Sequence, residues 1–348
     1  MRQRKRKSRS AKPPLKALWR TNIEDHPIGL AWSPDGKNLA VAGVSGPITL
    51  FNGADGAVQH KLPGHALDTM AISWHKDSRL LASVGQDSKV RLWDAETGTQ
   101  LSEMAGGASW VERVAFSPAG ERLATAAGRK LRLWSASGEL IREYPDANST
   151  ITDIKWRYDG KLFAISAYNG VVLYDPAEAE PLRRFAWQGS TLSLEWSPDG
   201  KYIATGDQDS TVHFWMADTG NDLQMWGYET KVLELAWSCN SRYLATGGGT
   251  QVVIWDCSGN GPANTRPLML EGHQHLIKHL KFQRQGMLLA SGGNEGLLAI
   301  WKVKKKNTAL LADAVFKAPI ANLAWSPDDR CIAVSDESGT LSIAAVQR

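Results

Sequence analysis

The sequence predicts an all-β chain made of eight copies of one unit of about 42 residues, closed into a ring. Three observations carry this expectation. Aromatic residues recur at nearly constant spacing. A second aromatic follows most of them 18 or 19 residues later. Between the two lies a short run of small apolar residues flanked by turn-forming residues, which is the pattern of short strands rather than helices.

The first strand of each unit ends near Trp32, Trp74, Phe116, Trp156, Trp196, Trp237, Phe282 and Trp325, at gaps of 42, 42, 40, 40, 41, 45 and 43 residues. The turn after it is often Ser-Pro-Asp-Gly or a relative, at Ser33–Gly36, Ser117–Gly120, Ser197–Gly200 and Ser326–Asp329. Pro and Gly there set a tight backbone geometry. The second strands read LAVAG, LLASV, LATAA, FAISA, IATGD, LATGG, LLASG and IAVSD. The third strands end near Phe51, Trp93, Trp134, Tyr174, Trp215, Trp255 and Trp301, and in the eighth unit the same offset lands on Ala344. Turns such as GADG, AETG, SASG and ADTG then lead to a fourth strand. The eighth unit has no fourth strand of its own, but a spare segment, residues 16–21 (KALWRT), precedes the first unit. Pairing of that segment beside the C-terminal strands closes the ring and removes an open sheet edge, which would otherwise invite aggregation.

Composition bounds the rest. The chain has 348 residues, 43% of them hydrophobic, enough for a packed core. No apolar run approaches the ~20 residues of a membrane helix, and no apolar segment follows the basic start as in a secretory signal. Three cysteines, Cys239, Cys257 and Cys331, make no disulfide framework and suit a reducing compartment. The expected location is cytoplasmic, or nuclear in a eukaryote. The net charge of +4 hides an asymmetry: residues 1–16 carry eight positive charges and no acid, so the remainder holds 32 Lys/Arg against 36 Asp/Glu. Residues 1–14 lack apolar periodicity and read as a disordered basic arm around Arg4, Lys5, Arg6, Lys7 and Arg9; residues 15–348 read as a single domain.

The period, the four-strand units, Gly64-His65 and Trp93-Asp94 resemble the WD-repeat β-propeller family, over about residues 16–346. The resemblance implies a ring of four-stranded antiparallel blades around a central channel. Eight closed blades are expected here, with seven blades plus an irregular extra unit as the alternative. It also implies a hydrogen-bond network within a blade, in which a third-strand Trp, a second-strand Ser or Thr, a loop His and a turn Asp are linked. Unit 2 has all four, as Trp93, Ser83, His65 and Asp87. Unit 7 has Trp301, Ser291 and His273 with Glu295 in place of Asp; unit 5 has Trp215, Thr205 and Asp209 with Trp187 in place of His; unit 6 has Tyr228 in place of His. These residues are therefore expected to serve the fold and not catalysis.

No enzyme motif competes with that reading. The chain lacks G-x-S-x-G, a phosphate-cradling Gly loop followed by Lys-Ser/Thr, and H-E-x-x-H. Quinone-dependent dehydrogenases also use eight blades, but the adjacent cysteine pair expected of them is missing. The chain is expected to be non-catalytic and to need no cofactor. His273, His275 and His279 fall within seven residues and are the only metal candidates; along a strand His275 and His279 would stand ~13 Å apart at ~3.3 Å per residue, too far for one ion.

The expected functional surface is the face where loops enter the first strands, which in this family commonly holds partner peptides. Positions six residues before each first aromatic should lie on its rim: His26, Asp68, Trp110, Thr150, Ser190, Lys231, Leu276 and Pro319. Gln86, Gln208 and Asn294, each just before a turn acid, should join them. Eleven of the 15 tryptophans occupy the repeat anchors, and Trp19 belongs to the closing strand. Trp110 is the one least explained by packing, so Trp110 and nearby Arg113 are the first-choice interface anchors. Trp187 and Trp226 are weaker choices, because both lie beside structural slots. The expected role is a monomeric ring within a complex, a scaffold for a protein or peptide. Two other readings stand beside it: a nucleic-acid-associated propeller, or one attached to an acidic surface, held by the basic arm; and a metal-related binding protein using the His273–His279 loop. Lys302, Lys304, Lys305 and Lys306 form a second basic run, read as a solvated loop of unit 7.

Overall fold

The computed structural model describes residues 15–107, 110–259, 261–263, 265–305 and 308–346. The basic arm expected over residues 1–14 lies outside them, as does Lys306. Every regular element among the described residues is a strand, and all pairings are antiparallel. Unit 2 is representative: Thr69–Trp74, Leu80–Gly85, Lys89–Asp94 and Thr99–Ala105 pair in chain order. The second strands are the most buried, because each is flanked by two strands and covered by both neighbouring units. Leu81, Ala82, Ser83 and Val84 are fully covered. Small side chains there let the sheets approach closely. The apolar clusters accordingly lie between units, as where Val84 and Leu92 of unit 2 meet Phe116 and Leu123 of unit 3.

The strands form seven hydrogen-bonded sheets, not the eight separate blades of the main expectation; the count matches the alternative of seven with one irregular unit. Six sheets have four strands. The seventh has six and contains units 4 and 5: Asp153–Trp156, Phe163–Tyr174, Arg183–Trp196, Tyr202–Asp207, Val212–Met216 and Asp222–Met225. The physical reason lies in two long strands. Arg183–Trp196 pairs with unit 4 through its first half and with unit 5 through its second, so the loop that separates other units is here extended chain. Phe163–Tyr174 folds back on itself. Asn169 and Gly170 both have positive φ, at 74° and 107°, as a two-residue hairpin turn requires. The ring of Phe163 stacks on that of Tyr174 at 5.3 Å, although a straight strand would hold them about 36 Å apart.

The seam is closed as the sequence suggests. Lys16–Asn22 pairs with Thr340–Ala345 and completes the sheet of Ile320–Trp325 and Cys331–Asp336. Trp19 donates its indole N–H to the Gly53 carbonyl at 3.0 Å and packs on Phe51 at 6.2 Å, tying this outer strand to unit 1.

The first-strand tryptophans do more than fill the core. Each of five donates its indole N–H to a carbonyl of the preceding unit: Trp32 to Ala324, Trp74 to Ala31, Trp156 to Ala115, Trp196 to Lys155 and Trp325 to Lys281, at 2.8–3.2 Å. The acceptor is always the residue just before that unit's own aromatic anchor, so the repeat spacing sets the bond. Trp156→Phe keeps the ring and removes the donor. It is expected to cost about 1 kcal/mol, the usual net worth of one buried hydrogen bond, read as a lower urea midpoint with an unchanged slope.

Candidate functional site

Antiparallel order places the loops entering all first strands at one end of the ring, together with the turns between second and third strands. A β-bulge recurs near the start of the first strand in six units, for example between Thr69 and Ala71 and between Ile277 and His279. The bulge turns the entering chain over the neighbouring hairpin. Consequently the two sets of predicted rim positions meet. The N–H groups of Val44, Gln86, Gln208, Asn294 and Glu337 donate to the carbonyls of His26, Asp68, Ser190, Leu276 and Pro319, at 2.9–3.0 Å. In unit 2 the side chains join as well, Gln86 Nε2 donating to Asp68 Oδ2 at 2.8 Å.

The chosen anchors divide. Trp110 is 52% exposed, and Lys231 and Gln208 are exposed too. Asp68, Gln86, Asn294 and Arg113 are half-buried. Arg113 is braced to the ring: its Nε donates to the Thr152 carbonyl at 2.6 Å and its Nη1 to the Glu112 carbonyl at 2.9 Å. Trp226, ranked behind Trp110 from the sequence, is 74% exposed. With Leu223, Met225, Trp255, Pro262 and Ala263 it lines a groove of about 540 Å³. Its signal in the sequence is that it belongs to neither anchor series. Leu67 and Tyr168, 56% and 50% exposed, escape the sequence reading. Leu67 lies in a connecting segment and Tyr168 just before the Asn169-Gly170 turn, where a single apolar residue carries no periodic signal.

The histidines beneath this face are committed to the fold. Trp93 Nε1 donates to Ser83 Oγ at 2.8 Å; His65 contacts Ser83 Oγ through Nε2 at 2.9 Å and Asp87 through Nδ1 at 2.8 Å. Burial pushes the Asp87 carboxyl up, but hydrogen bonds from His65 and Arg91 outweigh it and hold it at about 2. Unit 7 repeats the arrangement with Trp301, Ser291, His273 and Glu295. In unit 6 the Tyr228 hydroxyl takes the histidine's place, between Trp255 Nε1 at 2.9 Å and Thr246 Oγ1 at 2.8 Å.

Unit 5 departs most. Trp187 packs on His213 with ring centroids 4.0 Å apart and tilted by 43°, and His213 engages Asp222 at 3.1 Å. Asp209, the acid expected to join the network, instead accepts from Thr211 at 2.7 Å. The Thr205 hydroxyl turns to Asp207, which is fully buried and has one carboxyl oxygen without a partner among the described residues. Burial pushes Asp207 up to about 7. It therefore stays protonated in the folded state over a range where the unfolded chain ionises it, and its contribution to stability is lost as pH rises from about 4 to about 7. Asp207→Asn is expected to flatten that decline and to raise the urea midpoint at pH 8 while changing it little at pH 4.

The three candidate metal ligands are not brought together. His273 spends both ring nitrogens on Glu295 and Ser291, His275 is exposed, and His279 lines the axial channel. That channel encloses about 360 Å³. Its charged lining comes from units 4 to 7. The carboxylates of Asp153 and Glu195, 4.0 and 3.2 Å away, hold the Lys155 ammonium above the usual lysine range. Burial pushes Glu234 up to about 7 and His279 down to about 4.

Comparison with known proteins agrees with this geometry. The family description "IFT122 first beta-propeller" matches residues 27–264, and "WD domain, G-beta repeat" matches residues 265–302. The chain belongs to the WD-repeat β-propeller family. Among curated relatives of this WD-repeat protein, Protein HIR1 of Candida albicans is 24% identical over 329 residues, covering 93% of this chain and 30% of that protein. Protein hir1 of Emericella nidulans is 25% identical, covering 81% and 24%. The human intraflagellar transport protein 122 homolog is 24% identical, covering 59% and 16%. The chain thus spans less than a third of these relatives. The crystal structure of the computationally designed Ika8 protein superposes with a TM-score of 0.81 at 20% identity, covering 97% of this chain and all of Ika8, a likeness of fold alone. Among the described residues no helix is long and apolar enough to cross a membrane.

Proposed function

We propose that this WD-repeat propeller is a non-catalytic scaffold that holds a protein or peptide partner on the face where loops enter the first strands. The observation that carries the reading is the exposure of two tryptophans, Trp110 and Trp226, at this end of the ring, with Leu67, Tyr168 and Leu276 exposed as well. Scattered apolar residues need no explanation, but exposed tryptophans over a braced backbone are the usual anchors of an interface. His65, Ser83, Asp87 and their counterparts do not compete as catalytic groups, because hydrogen bonds within the blade use them up. The same reading treats the six-stranded sheet as two blades sharing one edge, giving eight units in the ring. It places the protein in the cytoplasm, or in the nucleus if the source is eukaryotic.

Partner recovery tests the reading. The full chain, Trp110→Ala and Trp226→Ala are each purified from the native cell and the co-purifying proteins identified by mass spectrometry. At least one exposed tryptophan is expected to be required for a partner, with a loss of tenfold or more in recovery and no change in thermal midpoint. Retention of every partner by both variants would remove this face from consideration.

A further inference from the structure

Two basic segments far apart in the sequence meet at one edge of the ring. Leu15 packs into the apolar cluster shared by units 7 and 8, which includes Leu288, Ala312 and Val346. Leu288 pairs with Lys302, the residue where the third strand of unit 7 ends and the lysine run begins. Next to Leu15, Lys16 pairs with Ala345, and Ala345 pairs with Cys331, the neighbour of Arg330. Two strand spacings put the Lys16 backbone about 10 Å from that of Cys331. The turn carrying Arg284 is tied to the turn of Asp329 and Arg330, its N–H groups at Arg284, Gln285 and Gly286 clasped by the Asp329 carboxylate at 2.8–2.9 Å.

Charge at this edge is unbalanced. Lys16, Arg284, Lys302, Lys304, Lys305 and Arg330 are all exposed. Asp329 is buried and spent on three backbone donors, so it neutralises none of them. In these turns only Asp328 faces them, 3.6 Å from Arg330. Among the described residues none of the other five has a carboxylate within ion-pair distance. In the sequence, residues 1–12 carry seven positive charges and no acid.

We infer that this edge of units 7 and 8 binds the phosphate backbone of a nucleic acid without reading its sequence. A group of exposed lysines and arginines, of which only Arg330 has a carboxylate within ion-pair distance among the described residues, suits a polymer carrying one negative charge per about 1.7 Å. None of the six residues is aromatic, so the contact lacks stacking platforms for bases and falls on phosphate. A lipid surface would be gripped with apolar insertion as well. Residues 2–12 contain only Ala11 as an apolar side chain. The surface is distinct from the loop face, and the inference does not depend on the scaffold reading.

The test measures binding of the full chain to a 20-base-pair DNA duplex, in two unrelated sequences, by fluorescence anisotropy between 50 and 200 mM KCl. Lys302→Gln/Lys304→Gln/Lys305→Gln is expected to reduce the slope of log K against log salt by about 2–3, at about 0.9 for each phosphate left unneutralised, and to weaken binding at 100 mM tenfold or more. Deletion of residues 1–12 lowers the slope further, and the two sequences bind alike. Lys37→Gln/Lys76→Gln/Lys161→Gln, on turns of units 1, 2 and 4, leaves the slope unchanged. Circular dichroism and the thermal midpoint confirm that each variant is folded. The inference fails if the wild type does not bind at 50 mM KCl, or if the unit 7 triple variant matches the wild type. It fails too if the unit 1, 2 and 4 variant loses as much, or if vesicles of 70:30 phosphatidylcholine:phosphatidylserine are bound more tightly than the duplex.

Discussion

Five of the eight boundaries between units share one contact, the indole N–H of a first-strand tryptophan donating to the carbonyl just before the preceding unit's anchor; among the described residues the buried indole N–H of Trp237 has no partner. The bond is half-buried, so losing either side leaves the other with restricted access to solvent. It also fixes how far each unit turns relative to the last. Trp32 reaches Ala324 by this bond, and thus the same contact that spaces neighbouring units also closes the seam. Where phenylalanine stands in the anchor position the donor is missing, and other groups tie the units. Ser73 accepts from the Phe116 N–H at 3.0 Å, and Glu234 accepts from the Leu280 N–H at 3.2 Å.

Within each unit a second layer of polar contacts holds the loop face over the sheet. Its composition varies while its geometry persists. A histidine serves in units 2 and 7, and a tyrosine hydroxyl does the same in unit 6. What is preserved is a hydroxyl that accepts from the third-strand tryptophan: Ser83 and Ser291 in units 2 and 7, Tyr228 in unit 6 and Thr205, at 3.3 Å, in unit 5. Unit 5 has no histidine on that hydroxyl, and its buried Asp207 is pushed up to about 7 by burial. That unit also shares its sheet with unit 4. The most irregular sheet and the least satisfied polar network therefore coincide, although nothing in the structure makes one cause the other.

Much of the candidate site is legible in the unfolded chain. Trp110 stands out because it fits neither anchor series, and the positions six residues before each anchor mark the rim because the repeat places them there. Arg113 is not the free anchor its sequence suggests. Its side chain has the same sequence neighbourhood as an exposed arginine, and the carbonyls of Thr152 in the next unit and of its own neighbour Glu112 occupy it. Trp226 is undervalued by the sequence for the converse reason. The neighbouring position is structural, but the tryptophan itself points away from the packed network and into a groove whose far wall, Pro262 and Ala263, comes from unit 6.

The sequence by itself determined the repeat, the strand order within a unit, the closing strand and the identity of the residues in the unit 2 network. The first three follow from the repeat, since alternation and turn chemistry act over a few residues and recur eight times; the unit 2 network follows from the resemblance to the WD-repeat family carried by Gly64-His65 and Trp93-Asp94. Only the tertiary structure decided which units share a sheet, because that turns on whether one connecting segment runs extended or bends away. It alone brought Lys16, on the sheet of unit 8, and the Lys302–Lys305 run of unit 7 to neighbouring units, although most of the chain separates them. A closed ring brings its first and last units into contact, and no local pattern in the sequence encodes which charged loops that contact will join.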